Sequence, residues 1–211
     1  MKLKKLISKQ ILNTLLLSAV VGAIIGAVTA YAILSTQKDV KKTSNELIYD
    51  FYATENAVYA SPHSLRRKMD KGDKNYILVD LRSPQEYEKE HIIGAVNIPA
   101  YKDPDTSAYE EVDRIVNQFT QLAKDQEVIV YCYSVPCMTG RKVGLMLAEK
   151  GIFVKHLGIG WNEWRHFWTL WNHEHEWEIT KPEEYVVSGK EPGIPQTREL
   201  PSPCGEGELS C

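Results

Sequence analysis

The chain has 211 residues, enough for one domain with additional segments. Its 25 basic and 28 acidic residues nearly balance, so composition does not indicate the basic surface that nucleic-acid binding requires. We therefore expect no nucleic-acid partner. Four cysteines are too few for a disulfide scaffold in a chain of this length. Cys132 and Cys137 lie in the middle of the chain, and Cys204 and Cys211 lie near its end.

An apolar segment lies near the N-terminus. Residues 10–37 carry no charge, and Leu15–Leu34 is almost wholly apolar, which matches the roughly 20 residues that a helix needs to cross a bilayer. Positive residues favour the cytoplasmic side, and lysines precede the segment at positions 2, 4, 5 and 9. We therefore expect a cytoplasmic N-terminus at residues 1–10, one helix spanning the cell membrane and contacting lipid at 11–36, and an extracytoplasmic domain.

Two further readings of this segment stay open. Ala30-Tyr31-Ala32 could serve as a signal-peptide cleavage site, although the apolar run exceeds the roughly 7–15 residues of a usual signal-peptide core. Gly22 and Gly26 form a GxxxG pattern, which allows two membrane helices to approach closely. This pattern alone indicates at most a weak homodimer.

Residues 37–57 form a polar linker with apolar residues at helical spacing. Leu47, Ile48, Phe51 and Tyr52 would share one face of a helix. We expect this linker helix to pack that face against the following domain.

From Val58 onward, short apolar runs alternate with helical patterns. Ser61 and Pro62 are typical of a helix start, and Gly72 of its end. Expected strands are Tyr76–Val79, Ala95–Ile98, Val128–Tyr131 and Phe153–Leu157, and expected helices are Pro62–Asp70, Glu110–Leu122, Lys142–Glu149 and one opening at Trp161. This alternation predicts an α/β fold, in which a central, mainly parallel sheet is flanked by helices. Ligands of such folds bind at the carboxyl ends of the strands, which here points to the segment after Tyr131.

That segment contains two cysteines and two basic residues. Cys132 follows the expected strand, Cys137 lies in the same loop, and Arg141 and Lys142 open the next helix. Positive charge and a helix N-terminus lower the pKa of a nearby thiol, and the thiolate is the reactive form. The loop carries no acidic residue that would oppose a thiolate or a persulfide. A buried structural thiol remains the alternative for Cys132.

The sequence VDLRSPQEYEKEHIIGAVNIPA resembles the signature that precedes the active loop of rhodanese domains. Downstream, LGIGWNEW is similar to the closing motif of that family. The resemblance covers residues 58–165, which we assign to a rhodanese-like domain. The matching residues are Asp80, Arg82, Glu86, Tyr87, His91, Ile92, Gly94, Ala95, Asn97, Ile98 and Pro99, followed by Leu157, Gly160, Trp161 and Trp164.

The resemblance implies a sulfurtransferase whose loop cysteine accepts sulfane sulfur from thiosulfate, a polysulfide or a persulfide, without a cofactor or metal. By position Cys132 is the expected sulfur carrier. The family loop usually has an arginine five residues after its cysteine, whereas Arg141 is nine residues after Cys132. Cys137 is the alternative, although the helix would then begin early. The loop expected to bind substrate comprises Tyr133, Ser134, Val135, Pro136, Met138, Thr139, Gly140, Arg141 and Lys142.

The charged residues of the first motif are expected to be structural. Asp80, Arg82 and Glu86 follow a strand, where ion pairs commonly hold a loop, and His91 belongs to the same motif.

Beyond the domain we expect an aromatic helical extension at 166–181 and an irregular, Pro-rich tail at 182–211. Trp161, Trp164, Trp168 and Trp171 share one helical face, which is typical of packing. His173 and His175 are two residues apart, whereas metal ligands on a helix stand three or four apart, so we expect no metal. Cys204 and Cys211 could pair outside the cytosol or stay free.

Three other functions stay open. An inactive rhodanese module could bind a protein partner, and the two loop cysteines could perform thiol–disulfide exchange, although C-x4-C differs from the C-x-x-C redox motif. A cysteine phosphatase ranks last because Arg141 is four residues after Cys137, whereas phosphatases need a C-x5-R loop.

Overall fold

The computed structural model describes the backbone of residues 2–36 and 42–199, and the side chains of residues 11–32 and 42–199. The chain divides after Tyr49 into two compact units, which are described separately.

Some sequence-based expectations fall outside these residues. They concern residues 37–41 of the linker and the pairing of Cys204 with Cys211.

The N-terminal unit contains one long helix, α1 (Lys2–Thr36). Its segment Ile11–Ala32 has 22 residues, a mean hydropathy of 2.3 and no buried residue. This helix is long and apolar enough to cross a membrane. A signal sequence near the N-terminus can meet the same criteria of length and composition.

The linker helix α2 (Ser44–Val58) begins at a reciprocal cap. The carboxylate of Glu46 accepts hydrogen bonds from the Thr43 backbone N–H (2.7 Å) and hydroxyl (2.9 Å). No residue of α2 is buried, and Phe51 and Tyr52 are 60% and 58% exposed. That this helix packs its apolar face against the following domain stays a prediction.

A parallel sheet forms the centre of the second unit. The strands of this unit are β1 (Tyr59–Ala60), β2 (Tyr76–Asp80), β3 (His91–Ile92), β4 (Ala95–Asn97), β5 (Tyr101–Asp103), β6 (Thr106–Ser107), β7 (Glu127–Tyr131), β8 (Lys155–Leu157) and β9 (Val186–Val187). Five of them form the parallel sheet in the order β1-β8-β7-β2-β4. Two further pairs, β3 with β9 and β5 with β6, are antiparallel. The α/β fold predicted from the sequence is confirmed, and β1 is an edge strand that the sequence did not indicate.

Helices cover both faces of the sheet. The helices of this unit after α2 are α3 (Pro62–Lys71), α4 (Pro84–Lys89), α5 (Val112–Thr120), α6 (Thr139–Ala148), α7 (Trp161–His166) and α8 (Trp168–Trp171). Successive residues of a strand point to opposite faces, so Leu78 packs with α3, α7 and α8 while its neighbour Val79 packs with α5 and α6.

The caps of α3 agree with the sequence. The Ser61 hydroxyl accepts a hydrogen bond from the Ser64 N–H, and Pro62 occupies the first turn. Gly72 ends the helix in the left-handed region at φ 67°, a conformation that glycine adopts at low cost.

The four tryptophans do not form one continuous helix, because the chain breaks at Phe167 between α7 and α8. The rings of Trp164 and Trp168 meet edge to face, with centroids 5.8 Å apart. Both are buried in the same apolar cluster, which confirms the expected packing role. A short 3-10 turn (Glu174–Glu176) follows, so the expected extension is only partly helical.

The segment after Pro182 is more ordered than its composition predicts. A 3-10 turn (Pro182–Tyr185) leads into β9, which pairs with β3. Tyr185 is only 2% exposed and packs against the tryptophan cluster, so burial of one large side chain fixes the segment. The expectation of an irregular tail is therefore wrong for residues 182–187.

Candidate active site

The loop between β7 and α6 lies at the carboxyl end of the central strand. Cys132 directly follows β7, and α6 begins at Thr139, three residues before the expected start. The Lys142 N–H closes the first turn on the Met138 carbonyl at 2.9 Å. Gly140 lies within this turn, next to the ring of His156. An added Cβ would clash with that ring, so this position requires glycine. The early start removes the objection that the sequence raised to Cys137.

The start of the loop is held by hydrogen bonds. The carbonyls of Cys132 and Tyr133 accept from the N–H groups of Trp161 and Asn162, each at 2.8 Å. This contact requires Gly160, since a Cβ there would lie 2.2 Å from the Ser134 nitrogen.

Arg141 supports the loop from the other side. Its guanidinium donates to the carbonyls of Val135 and Cys137, each at 3.2 Å, and to the Tyr59 hydroxyl at 2.7 Å. Lys142 instead lies over the ring of Tyr109, 5.0 Å from its centroid. Arg141 thus acts mainly by holding the loop backbone.

The two thiols lie together within this loop. Cys132 is only 1% exposed, whereas Cys137 is partly exposed. Their Sγ atoms are 3.4 Å apart, and Cys137 Sγ is 3.3 Å from the Thr139 hydroxyl. A small molecule in solvent therefore meets Cys137 first.

The surroundings favour a thiolate on Cys137. A hydrogen bond from the Cys132 thiol lowers the pKa of Cys137 to about 5, aided by the hydroxyl and N–H of Thr139 and opposed by burial. The same contact, with burial, raises the pKa of Cys132. The negative charge of the pair therefore resides on the more exposed sulfur.

Thr139 joins the thiols to two tyrosines. Its hydroxyl is 2.9 Å from the Tyr101 hydroxyl and 2.7 Å from that of Tyr109. Burial raises the pKa of Tyr101, so its hydroxyl stays protonated and able to donate. Sequence reasoning missed both tyrosines, because they lie far from the loop along the chain.

Replacing Thr139 with valine is expected to raise the pKa of Cys137 by about one to two units. A hydrogen bond to a charged group contributes about 1.5–3 kcal/mol, and one pKa unit corresponds to about 1.4 kcal/mol. Thiolate is present above the pKa, so alkylation of Cys137 should fall as the pH is lowered through about 5 in the wild type and at a higher pH in the variant.

The measurement is the rate of iodoacetamide alkylation of Cys137 against pH, followed by peptide mass spectrometry. Thr120→Val is the control, because Thr120 is exposed and its hydroxyl contacts only the end of its own helix. An unchanged midpoint in Thr139→Val would remove Thr139 from the set of groups that stabilise the thiolate.

Comparison with known proteins identifies this architecture. A family model for the rhodanese-like domain matches residues 61–167. The chain belongs to the rhodanese-like domain family. Its matches to curated proteins include a thiosulfate:glutathione sulfurtransferase of Saccharomyces cerevisiae, 31% identical over 101 residues, and an HTH-type transcriptional regulator of Mycobacterium tuberculosis, 29% identical over 101 residues.

These matches cover part of each protein. The alignments span 47% and 48% of this chain, 64% of the sulfurtransferase and 38% of the regulator. Among solved structures, the BH2092 protein of Bacillus halodurans is 21% identical with a TM-score of 0.47, covering 65% of this chain and all of that one. An Escherichia coli rhodanese with anions is 28% identical with a TM-score of 0.29. That match covers 40% of this chain and 86% of the rhodanese chain.

In this rhodanese-like domain, Asp80 and Arg82 form a buried pair below the loop. The Arg82 guanidinium donates to both carboxylate oxygens of Asp80, and the Tyr131 hydroxyl donates to one of them at 2.7 Å. Arg82 also donates to the Glu90 carbonyl and lies 4.3 Å from the ring centroid of Trp161. These contacts support the structural role expected from the sequence.

Glu86 has two contacts. It caps α4 together with Ser83, and it accepts a hydrogen bond of 2.5 Å from the Tyr133 hydroxyl. The carboxylate of Glu86 therefore joins the rhodanese motif that precedes the active loop to the loop between β7 and α6 by a direct hydrogen bond. His91 is buried and stacks on Tyr87, with ring centroids 3.6 Å apart.

Among the side chains of residues 11–32 and 42–199, no group of three or more His, Cys, Asp or Glu is arranged to hold a metal ion. His173 stacks on His63, with ring centroids 3.8 Å apart, and lies 5.6 Å from His175. His173 therefore packs face to face on His63, whereas the ring of His175 is tilted by 55° to that of His173.

Proposed function

We propose that this rhodanese-like domain is a sulfurtransferase or persulfide carrier that accepts sulfane sulfur at its pair of loop cysteines. Family membership supports the sulfurtransferase type, and similarity to a thiosulfate:glutathione sulfurtransferase supports a small sulfur donor. The observation that carries the proposal is the proximity of two free thiols, 3.4 Å apart, in the loop after the central strand.

Cys137 is the better candidate for the first acceptor, although the sequence favoured Cys132. Cys137 is partly exposed and has a lowered pKa, whereas Cys132 is buried and has a raised one. The thiolate is the nucleophile in sulfur exchange, so access and ionisation both favour Cys137.

The reaction proceeds in two displacements. The Cys137 thiolate attacks the sulfane sulfur of thiosulfate, the S–S bond of the donor breaks, and sulfite leaves with the electron pair. A nucleophilic acceptor then attacks the outer sulfur of the Cys137 persulfide, and the thiolate is regenerated. The surrounding loop would contact the donor through residues 133–142, among which Val135 and Met138 are 42% and 53% exposed.

The test is persulfide formation on the full chain in detergent, read by mass spectrometry after thiosulfate or polysulfide. Every variant carries Cys204→Ser and Cys211→Ser, so that only the loop thiols can react. We expect one added sulfur atom on the Cys132→Ser chain and none on the Cys137→Ser chain. Loss only in Cys132→Ser would transfer the acceptor role to Cys132. No adduct with any donor on folded protein would favour an inactive, partner-binding module instead.

We also propose that α1 anchors the domain at the outer face of the cell membrane, with residues 1–10 in the cytoplasm. Its length and hydropathy support a span within residues 11–36 that contacts lipid. Added Cβ atoms at Gly22 and Gly26 would meet nothing within 4 Å, which leaves this face open for weak pairing with a second copy. Recovery of the chain without residues 1–32 in a soluble fraction would instead indicate a cleaved signal peptide.

A further inference from the structure

The proposed sulfur transfer assigns no chemical role to one of the two thiols. Cys132 lies beneath Cys137, 1% exposed, with its sulfur 3.4 Å from that of its neighbour. The exchange with an external acceptor uses only the outer sulfur of a Cys137 persulfide. Cys132 faces the inner sulfur.

We propose that Cys132 discharges the Cys137 persulfide, releasing hydrosulfide and leaving a Cys132–Cys137 disulfide that an external dithiol reduces. This inference rests on the proposed function, because it needs sulfur loaded on Cys137. It adds a second activity to the same site, the reduction of sulfane sulfur to sulfide.

The step balances in atoms and electrons. The Cys132 thiolate attacks Sγ of Cys137, a new S–S bond forms between the two cysteines, and the bond to the outer sulfur breaks. The outer sulfur leaves with the electron pair and takes the proton given up by Cys132, as hydrosulfide. Sulfane sulfur is thereby reduced and the two cysteine thiols are oxidised. A dithiol of the thioredoxin type then restores both thiols by exchange and becomes a disulfide itself.

The geometry supports attack from within the loop. A disulfide needs the two sulfurs at about 2.05 Å, so the present separation of 3.4 Å must shorten by roughly 1.4 Å. The loop keeps the pair together, since Cys132 is held at its carbonyl by Trp161 and Cys137 at its carbonyl by Arg141. The Cys137 N–H also closes a turn on the Ser134 carbonyl at 3.0 Å.

Sulfur loading would also set the order of events. Before loading, the hydrogen bond to Cys137 is the main cause that raises the pKa of Cys132. Once Cys137 carries sulfur, the negative charge lies one atom further from Cys132, and that cause weakens. Sulfur loading therefore favours the Cys132 thiolate, while burial continues to oppose it.

The test is a single-turnover experiment on the full chain in detergent, in the background Cys204→Ser and Cys211→Ser. Protein is loaded with thiosulfate or polysulfide, freed of donor, and followed without reductant by sulfide trapping with monobromobimane and by intact mass. The wild type should lose the added sulfur, release about one sulfide per chain and form the loop disulfide. Cys132→Ser should keep its persulfide, releasing sulfide at least tenfold more slowly.

Two outcomes would overturn the inference while leaving the proposed function intact. One is a stable persulfide in the wild type with no disulfide; the other is equal sulfide release by wild type and Cys132→Ser. Failure to load sulfur on any chain would instead contradict the proposed function. Because the disulfide is read on the wild type, the test stands even if Cys132→Ser does not fold. Peptide mapping identifies the Cys132–Cys137 bond directly, and addition of a dithiol should restore loading.

Discussion

Replacing Arg66 with methionine is expected to lower the free energy of unfolding of the domain by about 3–5 kcal/mol, the usual cost of removing one partner from a buried ion pair. Arg66 is fully buried in α3. Its guanidinium donates to Asp70 at 2.8 Å and to Glu176 at 2.5 Å, and both carboxylates are nearly buried. Methionine would leave the two carboxylates close together without this cation.

Urea unfolding followed by tryptophan fluorescence measures the loss. Arg67→Met is the matched control, because the neighbouring arginine on the same helix is only partly buried, and we expect a change within about 0.5 kcal/mol there. Burial already raises the pKa of Asp70. Loss of the cation should raise it further, so the stability deficit of Arg66→Met should narrow as the pH falls and the carboxylates take up protons. A deficit below about 1 kcal/mol would show that other partners compensate.

Replacing Gly160 with alanine is expected to displace the active loop. The added Cβ would lie 2.2 Å from the Ser134 nitrogen and 2.4 Å from the Tyr133 carbonyl carbon, both backbone atoms that cannot rotate away. The Gly160 φ of −111° suits any residue, so the effect arises from this contact alone. We expect a destabilisation of about 1–3 kcal/mol, as for other overpacked sites.

The displacement should also change the thiols. Moving the loop breaks the hydrogen bonds from Trp161 and Asn162, so alkylation of Cys132 should rise and sulfur loading should fall at least tenfold. Gly158→Ala is the matched control two residues earlier, since a Cβ there would lie 3.5 Å from its nearest neighbour, an ordinary contact. Equal behaviour of the two alanine variants would mean that the loop tolerates the intrusion.

The sequence predicted those elements whose signals are local. Ser61 and Gly72 bound α3 as expected, and the apolar runs at β2 and β7 form the centre of the sheet. Each of these signals acts over a few residues, through a cap, a left-handed turn or a buried strand. The position of the cysteine loop follows from the same strands.

Long-range contacts could not be predicted in this way. Tyr101 and Tyr109 reach Thr139 across 38 and 30 residues, and neither carries a local pattern that indicates the contact. The segment around Tyr185 is predicted from its composition to be irregular. It is ordered because the Tyr185 ring is buried among tryptophans that are distant in sequence. The choice between Cys132 and Cys137 likewise depends on which sulfur the folded loop buries.

The hydrogen bonds at the start of the cysteine loop have a consequence for changes in the length of that loop. Cys132 and Tyr133 are tied to Trp161 and Asn162, while residues 134–138 lie between this tie and the start of α6. An insertion or deletion among these residues would leave the first cysteine tied in place, but it would change the carbonyls that Arg141 holds at Val135 and Cys137. A change in loop length would therefore move the second cysteine relative to the first while the fold beneath both stays unchanged.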